Sequence, residues 1–304
     1  MDNTKDCKTR SRKDAATTHK RIVVGVDGSP ESLNAVDFAA ARARLDGSEI
    51  ELVCAYALPS YSADSGLSSE ETLRAGAQRV VDDAADHLAG KHQLQVTRTV
   101  LPGNPTGILR RKSESSQLIV LGSRGGGGFA DRLLGAIPAA LPGYSSCPVV
   151  IVPGETAGKR HEVHRIAVGT DGSRPATSSL SQAITEAELW GAHLDVIRAM
   201  PLTRSMAAIP WMTVSGDTPA IIQAATEETE QAIAESIETA GIQAEVQVLD
   251  GDPADTLLDY AKSVDMLVVG THGRGGVRGV LLGSTSQVVL QESPVPVMVV
   301  PSSR

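Results

Sequence analysis

Aromatic side chains are scarce in this chain: two Trp, four Tyr and two Phe among 304 residues. Stacking successive bases needs ring platforms, so the shortage argues against single-stranded nucleic acid as a ligand. Positive charge is short as well, with 28 Lys and Arg against 36 Asp and Glu and a formal net charge of −8. No whole-chain basic field exists to hold a phosphodiester backbone, and no nucleic-acid partner is expected. Cysteine is limited to Cys7, Cys54 and Cys147, an odd number at wide spacing. That pattern fits neither a disulfide framework nor a zinc site. Cys54 and Cys147 lie in apolar surroundings and read as inert core residues, whereas Cys7 reads as the exposed thiol. Long hydrophobic runs are missing too. Residues 266–270 and 295–300 are strand-sized, far below the ~20 residues that cross a bilayer. Residues 1–20 contain no apolar stretch of the secretory kind, so the expectation is a soluble, cytoplasmic chain with no membrane partner.

What is present is a duplication. RIVVGVDGS at residues 21–29 returns as RIAVGTDGS at 165–173, an offset of 144. PGNPTGILRRKSESSQLIVLGSRGGGG from Pro102 is matched by DGDPADTLLDYAKSVDMLVVGTHGRGG from Asp250, an offset of 148. The difference of four falls in the Ser- and Pro-rich stretches after Pro59 and Pro201. A period this long describes a doubled domain rather than a solenoid. The expected organisation is a disordered, mildly basic tail at 1–20, whose simplest role is solvation, and a first domain at 21–153. A polar linker at 154–164 and a second domain at 165–301 complete it.

Hydrophobic residues make up 41% of the chain, and with so few rings the core must be Ala, Val, Leu and Ile. In the first copy, strands are expected at 21–26, 50–57, 95–100, 118–121 and 148–152, and helices at 32–45, 70–89 and 105–113. A glycine loop and a further helix precede the last strand, and 220–240 repeats the long helix in the second copy. Continuous β-branched strands alternating with helices imply a parallel sheet covered on both faces. The fold class is therefore α/β: two tandem doubly wound, Rossmann-like domains, each a five-stranded, mainly parallel sheet flanked by helices. The final strand, 295–300, is apolar and sits at the edge of its sheet. It is expected to pair with 148–152, joining the two copies edge to edge within one chain.

Ligands of such sheets bind beyond the carboxyl ends of the strands, where strand order reverses. Two segments in each copy put suitable residues there. The first is the Asp-Gly-Ser after the opening strand, with Asp27 and Asp171. The second is a glycine loop, which in the second copy reads GTHGRGGVRGVLLGSTS. Glycine lets backbone N–H groups approach an anion, and Gly283-Ser284 opening a helix adds donors, hydroxyls and a positive helix end. The plain alternative is that the glycines only build turns.

Gly270, Gly273 and Gly283-Ser284, after a buried strand and an early V-G-x-D-G-S, resemble the universal stress protein family in its ATP-binding, tandem two-domain form. The likeness covers both copies. It implies a regulatory stress-response protein that binds adenine nucleotide, with Mg2+ carried on the phosphates and few protein ligands for the metal. Carried over by position, it implicates Thr170, Asp171, Ala199, Val269, Gly270, Gly273, Gly283, Ser284, Thr285 and Ser286 in the second copy. In the first copy it implicates Val26, Asp27, Ala55, Leu121, Gly122, Gly125 and Gly135. The resemblance also implies a homodimer.

The first copy departs from the pattern after Gly135, where Ala136, Ile137 and Pro138 replace three hydroxyl residues. Pro142 and Gly143 then interrupt the helix that Val288, Val289 and Leu290 continue in the second copy. Each lost hydrogen bond to a charged phosphate is worth roughly 1.5–3 kcal/mol, so the first site is expected to be the weaker or to stay empty. No G-x-x-x-x-G-K-[ST] or G-x-S-x-G is present, and His161 and His164 stand three apart in the linker with no carboxylate partner implied. No catalytic base or water-positioning group is assigned. Arg124, His272 and Arg274 are placed to touch phosphates or simply face water. A slow ATPase or adenylate-handling enzyme using Asp171, and a nucleotide-free scaffold, are the two alternative functions.

Overall fold

Ile22, Val23 and Val24 are all fully buried, which a strand enclosed between two helical layers demands. They form β1 (Arg21–Gly25). The computed structural model describes residues 20–57, 70–89, 94–125, 134–154, 162–201, 218–273 and 282–302. The tail with Cys7, most of the linker and the loops after Pro59 and Pro201 lie outside these residues. After β1, the Ser29 hydroxyl accepts from the Ser32 N–H at 3.1 Å and caps α1 (Pro30–Asp46), which Pro30 opens and Gly47, at φ 72°, closes. There follow β2 (Glu49–Tyr56), α2 (Glu70–Leu88), β3 (Val96–Pro102), α3 (Pro105–Ser113), β4 (Leu118–Gly122), α4 (Ala136–Ala140) and β5 (Val149–Val152). The second half repeats the order with β6 (Arg165–Gly169), α5 (Arg174–Trp190), β7 (His193–Met200), α6 (Thr218–Ala240) and β8 (Ala244–Asp250). It closes with α7 (Pro253–Ala261), β9 (Met266–Gly270), α8 (Ser284–Glu292) and β10 (Val297–Val300).

The strands form one 10-stranded sheet in the order β3-β2-β1-β4-β5-β10-β9-β6-β7-β8. Pairing within each half is parallel. The chain first runs outward from β1 to β3 and then returns to the other side of β1, so β1 and β4 flank the point where strand order reverses. β6 and β9 do the same in the second half. The halves join where β5 meets β10 antiparallel, with Val150 opposite Met298, so the final strand does pair inside the chain. Both joining strands are buried along their length. The outer edges of the sheet are β3 and β8, which are only partly covered.

Alternate residues feed two apolar layers. Phe38, Ile50, Val81, Val150 and Met298 belong to one, and Val53, Ile108, Leu141, Val149 and Leu267 to the other. Full burial of such an aliphatic side chain contributes ~1.5–3 kcal/mol, so the strands carry the stability of the sheet. On the first layer α1 and α5 touch. The Phe38 and Trp190 rings lie 6.1 Å apart, and Arg42 pairs with Glu186 at 2.7 Å. Among the described residues no helix is long and apolar enough to cross a membrane.

Candidate functional site

A cleft of about 430 Å³ opens at the carboxyl ends of β1 and β4 in the first half. Its lining includes every residue expected there from the sequence: Val26, Asp27, Ala55, Leu121, Gly122, Gly125 and Gly135. The switch in strand order creates the opening, because the helices after β1 and β4 leave on opposite faces and splay apart. Arg124, named from the sequence, lines it too, and walls without a signal of their own in the glycine loop come from Ser32, Val53, Leu134 and the start of α3, where Pro105, Ile108 and Leu109 stand. The duplicated Gly-Asn-Pro and Gly-Asp-Pro segments before α3 and α7 were the signal for that wall.

The main chain fixes the carboxylate. Val26 N–H donates to the Val53 carbonyl at 2.9 Å and carries β1 one residue past its helix-facing run. Asp27 Oδ1 then accepts from the Ser29 N–H at 3.0 Å and the Ser29 hydroxyl at 2.6 Å. Its other oxygen lies against the glycine loop, since a Cβ on Gly125 would collide with Asp27 Oδ2. The second half has the same arrangement: Asp171 Oδ1 accepts from Ser173 N–H at 2.9 Å, and a Cβ on Gly273 would stand 2.5 Å from Asp171 Oδ2. At the end of β4, a Cβ on Gly122 would lie 2.6 Å from the Glu31 carbonyl, so only glycine lets the first turn of α1 pack there. Both loops close alike, with Gly135 N–H donating to Ser123 O at 2.8 Å and Gly283 N–H to Thr271 O at 2.7 Å.

The halves differ in the side chains carried around these strand ends. At equivalent positions, Val26, Ile108, Ala136, Ile137 and Pro138 of the first half become Thr170, Thr256, Ser284, Thr285 and Ser286. Ser284 is exposed and Thr285 half-buried at the start of α8, where unpaired helical N–H groups concentrate positive potential. Ser286 is buried, and its hydroxyl donates to the Gly270 carbonyl at 2.7 Å. Its hydrogen is therefore committed to the protein rather than to a ligand. Thr170 Oγ1 accepts from Gly172 N–H at 3.2 Å. Ala199, near the end of β7, and Val269 and Gly270, at the end of β9, complete the strand-end positions. α8 runs for nine residues, whereas α4 stops after five and gives way to a 3-10 turn at Leu141–Gly143, as Pro142 and Gly143 require. The centres of both glycine loops, 126–133 and 274–281 with Arg274, lie outside the described residues.

Arg124 lines the cleft and its Nε lies 3.6 Å from Glu31 Oε1, while the equivalent His272 is half-buried. The one potential metal-binding group among the described residues is His193, Asp195 and Glu245. Arg165 holds both Asp195 oxygens, through Nε at 2.5 Å and Nη2 at 3.1 Å, and that bond raises the guanidinium's proton affinity above its ordinary value. The carboxylate is already neutralised, so this group makes a poor cation cradle. Cys54 and Cys147 are buried and unbridged, and burial pushes both thiols up to about 11. Neither is a nucleophile near neutral pH.

Comparison with known proteins matches the duplicated architecture. The model of the universal stress protein family matches residues 18–153 and again 162–301. A universal stress protein of Mycolicibacterium smegmatis is 33% identical over 300 residues, covering 94% of this chain and 98% of that relative. One from Mycobacterium tuberculosis is 30% identical over 311 residues, covering 94% of this chain and 96% of the relative. The crystal structure of a universal stress protein from Archaeoglobus fulgidus superposes with a TM-score of 0.68 at 22% identity, across 94% of this chain and 97% of that one.

Proposed function

The chain belongs to the universal stress protein family, and from that premise we propose that it binds adenine nucleotide at the carboxyl ends of its central strands, with the second half as the stronger site. The observation that carries the reading is the matched pair of carboxylate and glycine: Asp27 against Gly125 and Asp171 against Gly273, each a cradle that a single Cβ would fill. A carboxylate at a strand end suits the hydroxyls of a ribose, and the apolar wall of Val53, Ile108 and Leu121 suits the faces of a base. Phosphates would then lie over the glycine loop and the start of α8, where Ser284 and Thr285 offer hydroxyls. The apolar-to-hydroxyl changes at Thr170, Thr256, Ser284 and Thr285 favour a polyphosphate in the second half over the first. Mg2+ would travel on the phosphates, since the cleft described in the first half offers one carboxylate, that of Asp27.

Occupancy serves as a regulatory input. Among the described lining of the first-half cleft the one carboxylate, Asp27, is held by Ser29, and the site reads as a sensor more than an enzyme. Mass spectrometry of small molecules released from the purified, denatured protein tests this. About one adenine nucleotide per chain, lost on Ser284→Ala together with Asp171→Ala, supports the reading. A nucleotide-free protein that takes up no ATP on titration overturns it and leaves the scaffold alternative. Steady phosphate release that vanishes in Asp171→Ala would favour a slow ATPase.

A further inference from the structure

Arg42 of α1 and Glu186 of α5 occupy equivalent positions of the 144-residue repeat, and they face each other across the contact between the halves. Both are buried, at 6% and 1% exposure. The guanidinium grips the carboxylate through Nε to Oε2 at 2.7 Å and Nη2 to Oε1 at 3.1 Å. Asp46 adds a second carboxylate 3.1 Å from Arg42 Nη1, and the Gln182 amide donates to Glu186 Oε1 at 3.1 Å. In the sheet, Val150 lies opposite Met298, again equivalent residues under the 148-residue offset. Equivalent residues that face each other mark a local two-fold axis, and here one axis passes through both the strand pair and the helix pair.

Identical halves on such an axis would present the same side chain to each other. In this chain the axial residues have opposite charge. A first half packed on another first half would set Arg42 against Arg42 and put Asp46 where Trp190 now meets Phe38. A second half on another second half would set Glu186 against Glu186 and bring Trp190 onto Gln182, the equivalent of Phe38. In a second–second pair the two buried carboxylates would face each other with no cation between them, and in a first–first pair each Arg42 would keep Asp46 but lose its bidentate grip on Glu186. An entire buried pair, by contrast, can often be exchanged for apolar groups without loss of stability. The axial pair thus bears on choice of partner more than on stability.

We propose that Arg42 and Glu186 form a pairing code that restricts the α1 face of the first half to one occupant, the α5 face of the second half. A second copy of the same half is rejected by charge.

Full-length chains with a protease site placed between residues 155 and 160 test this: each is cut after folding, unfolded in urea, refolded, and weighed by native mass spectrometry. The uncut chains are melted in parallel. Wild type and the swap Arg42→Glu/Asp46→Asn/Glu186→Arg, in which Asp46→Asn keeps a second carboxylate away from the new glutamate, should return only pairs of one first half with one second half. Arg42→Met/Glu186→Leu should keep its melting temperature and yield first–first and second–second pairs as well. Glu186→Arg alone should melt roughly 10 °C lower, with the swap recovering most of that loss. Strict first–second pairing in the Met/Leu chain would overturn the proposal, and so would a swap that melts as low as Glu186→Arg.

Discussion

Gly125 lies so close to Asp27 that a Cβ there would collide with the Oδ2 oxygen, and Gly273 stands in the same relation to Asp171. The glycine of the loop and the acid after the first strand are therefore one unit, repeated in each half. Gly273→Ala must turn the Asp171 carboxylate away or lift the loop, at the expense of its bond from Ser173 N–H. ATP affinity at the second site should fall at least about 10-fold, the equivalent of one lost charge-assisted hydrogen bond. Calorimetric titration checks it, with an unchanged far-UV spectrum as the control for folding.

Ser284 and Ser286 are two residues apart and should behave differently. Ser284→Ala removes an exposed hydroxyl at the start of α8, so affinity for ATP should drop roughly 10- to 100-fold with little change in melting temperature. Ser286→Ala instead deprives the Gly270 carbonyl of its donor in a buried setting, and should cost about 1–3 kcal/mol of stability. Thermal melting of the two variants without ligand separates the roles.

Restoring hydroxyls to the first half should create a second strong site. Ala136→Ser with Ile137→Thr gives the existing cleft the two side chains that Ser284 and Thr285 supply in the other half. ATP stoichiometry should move from about one toward two per chain, with first-site affinity rising roughly 10-fold or more. Titration of this double variant in an Asp171→Ala background isolates the first site.

The buried thiols set an alkaline limit on stability. Burial holds Cys54 and Cys147 near 11 against an ordinary value of 9.0, so the unfolded chain releases these protons first as pH rises. With fewer protons bound in the unfolded state, stability falls with increasing pH. The loss should begin near pH 9 and be complete near pH 11. Replacing both with Ala should flatten that arm of the melting-temperature profile. At pH 8, a thiol reagent should leave Cys54 and Cys147 unlabelled in the folded chain and label both after unfolding.

Much of this architecture is legible in the residues themselves. Runs such as Ile22 to Val24 and Met266 to Val269, apolar on both faces, can only be enclosed strands, and the repeat makes each assignment twice. The strand-end acids and glycines follow from the chain's own punctuation. Less legible is whatever depends on distant segments arriving together. Ile108 and Leu109 look like ordinary core residues of a short helix until α3 packs beside β4 and they become a cleft wall. Ser286 reads as a phosphate ligand by position, yet its hydroxyl meets Gly270 across 16 residues of loop. Arg42 and Glu186 each look like a charge on a helix surface, and only the pairing of β5 with β10 buries them against each other.

Nucleotide binding by unequal halves is decided by calorimetric titration of ATP into the intact chain alongside Asp27→Ala and Asp171→Ala. A dominant site should survive Asp27→Ala and be lost in Asp171→Ala. Equal affinities in both single variants, or no binding heat in the nucleotide-stripped wild type, would contradict it.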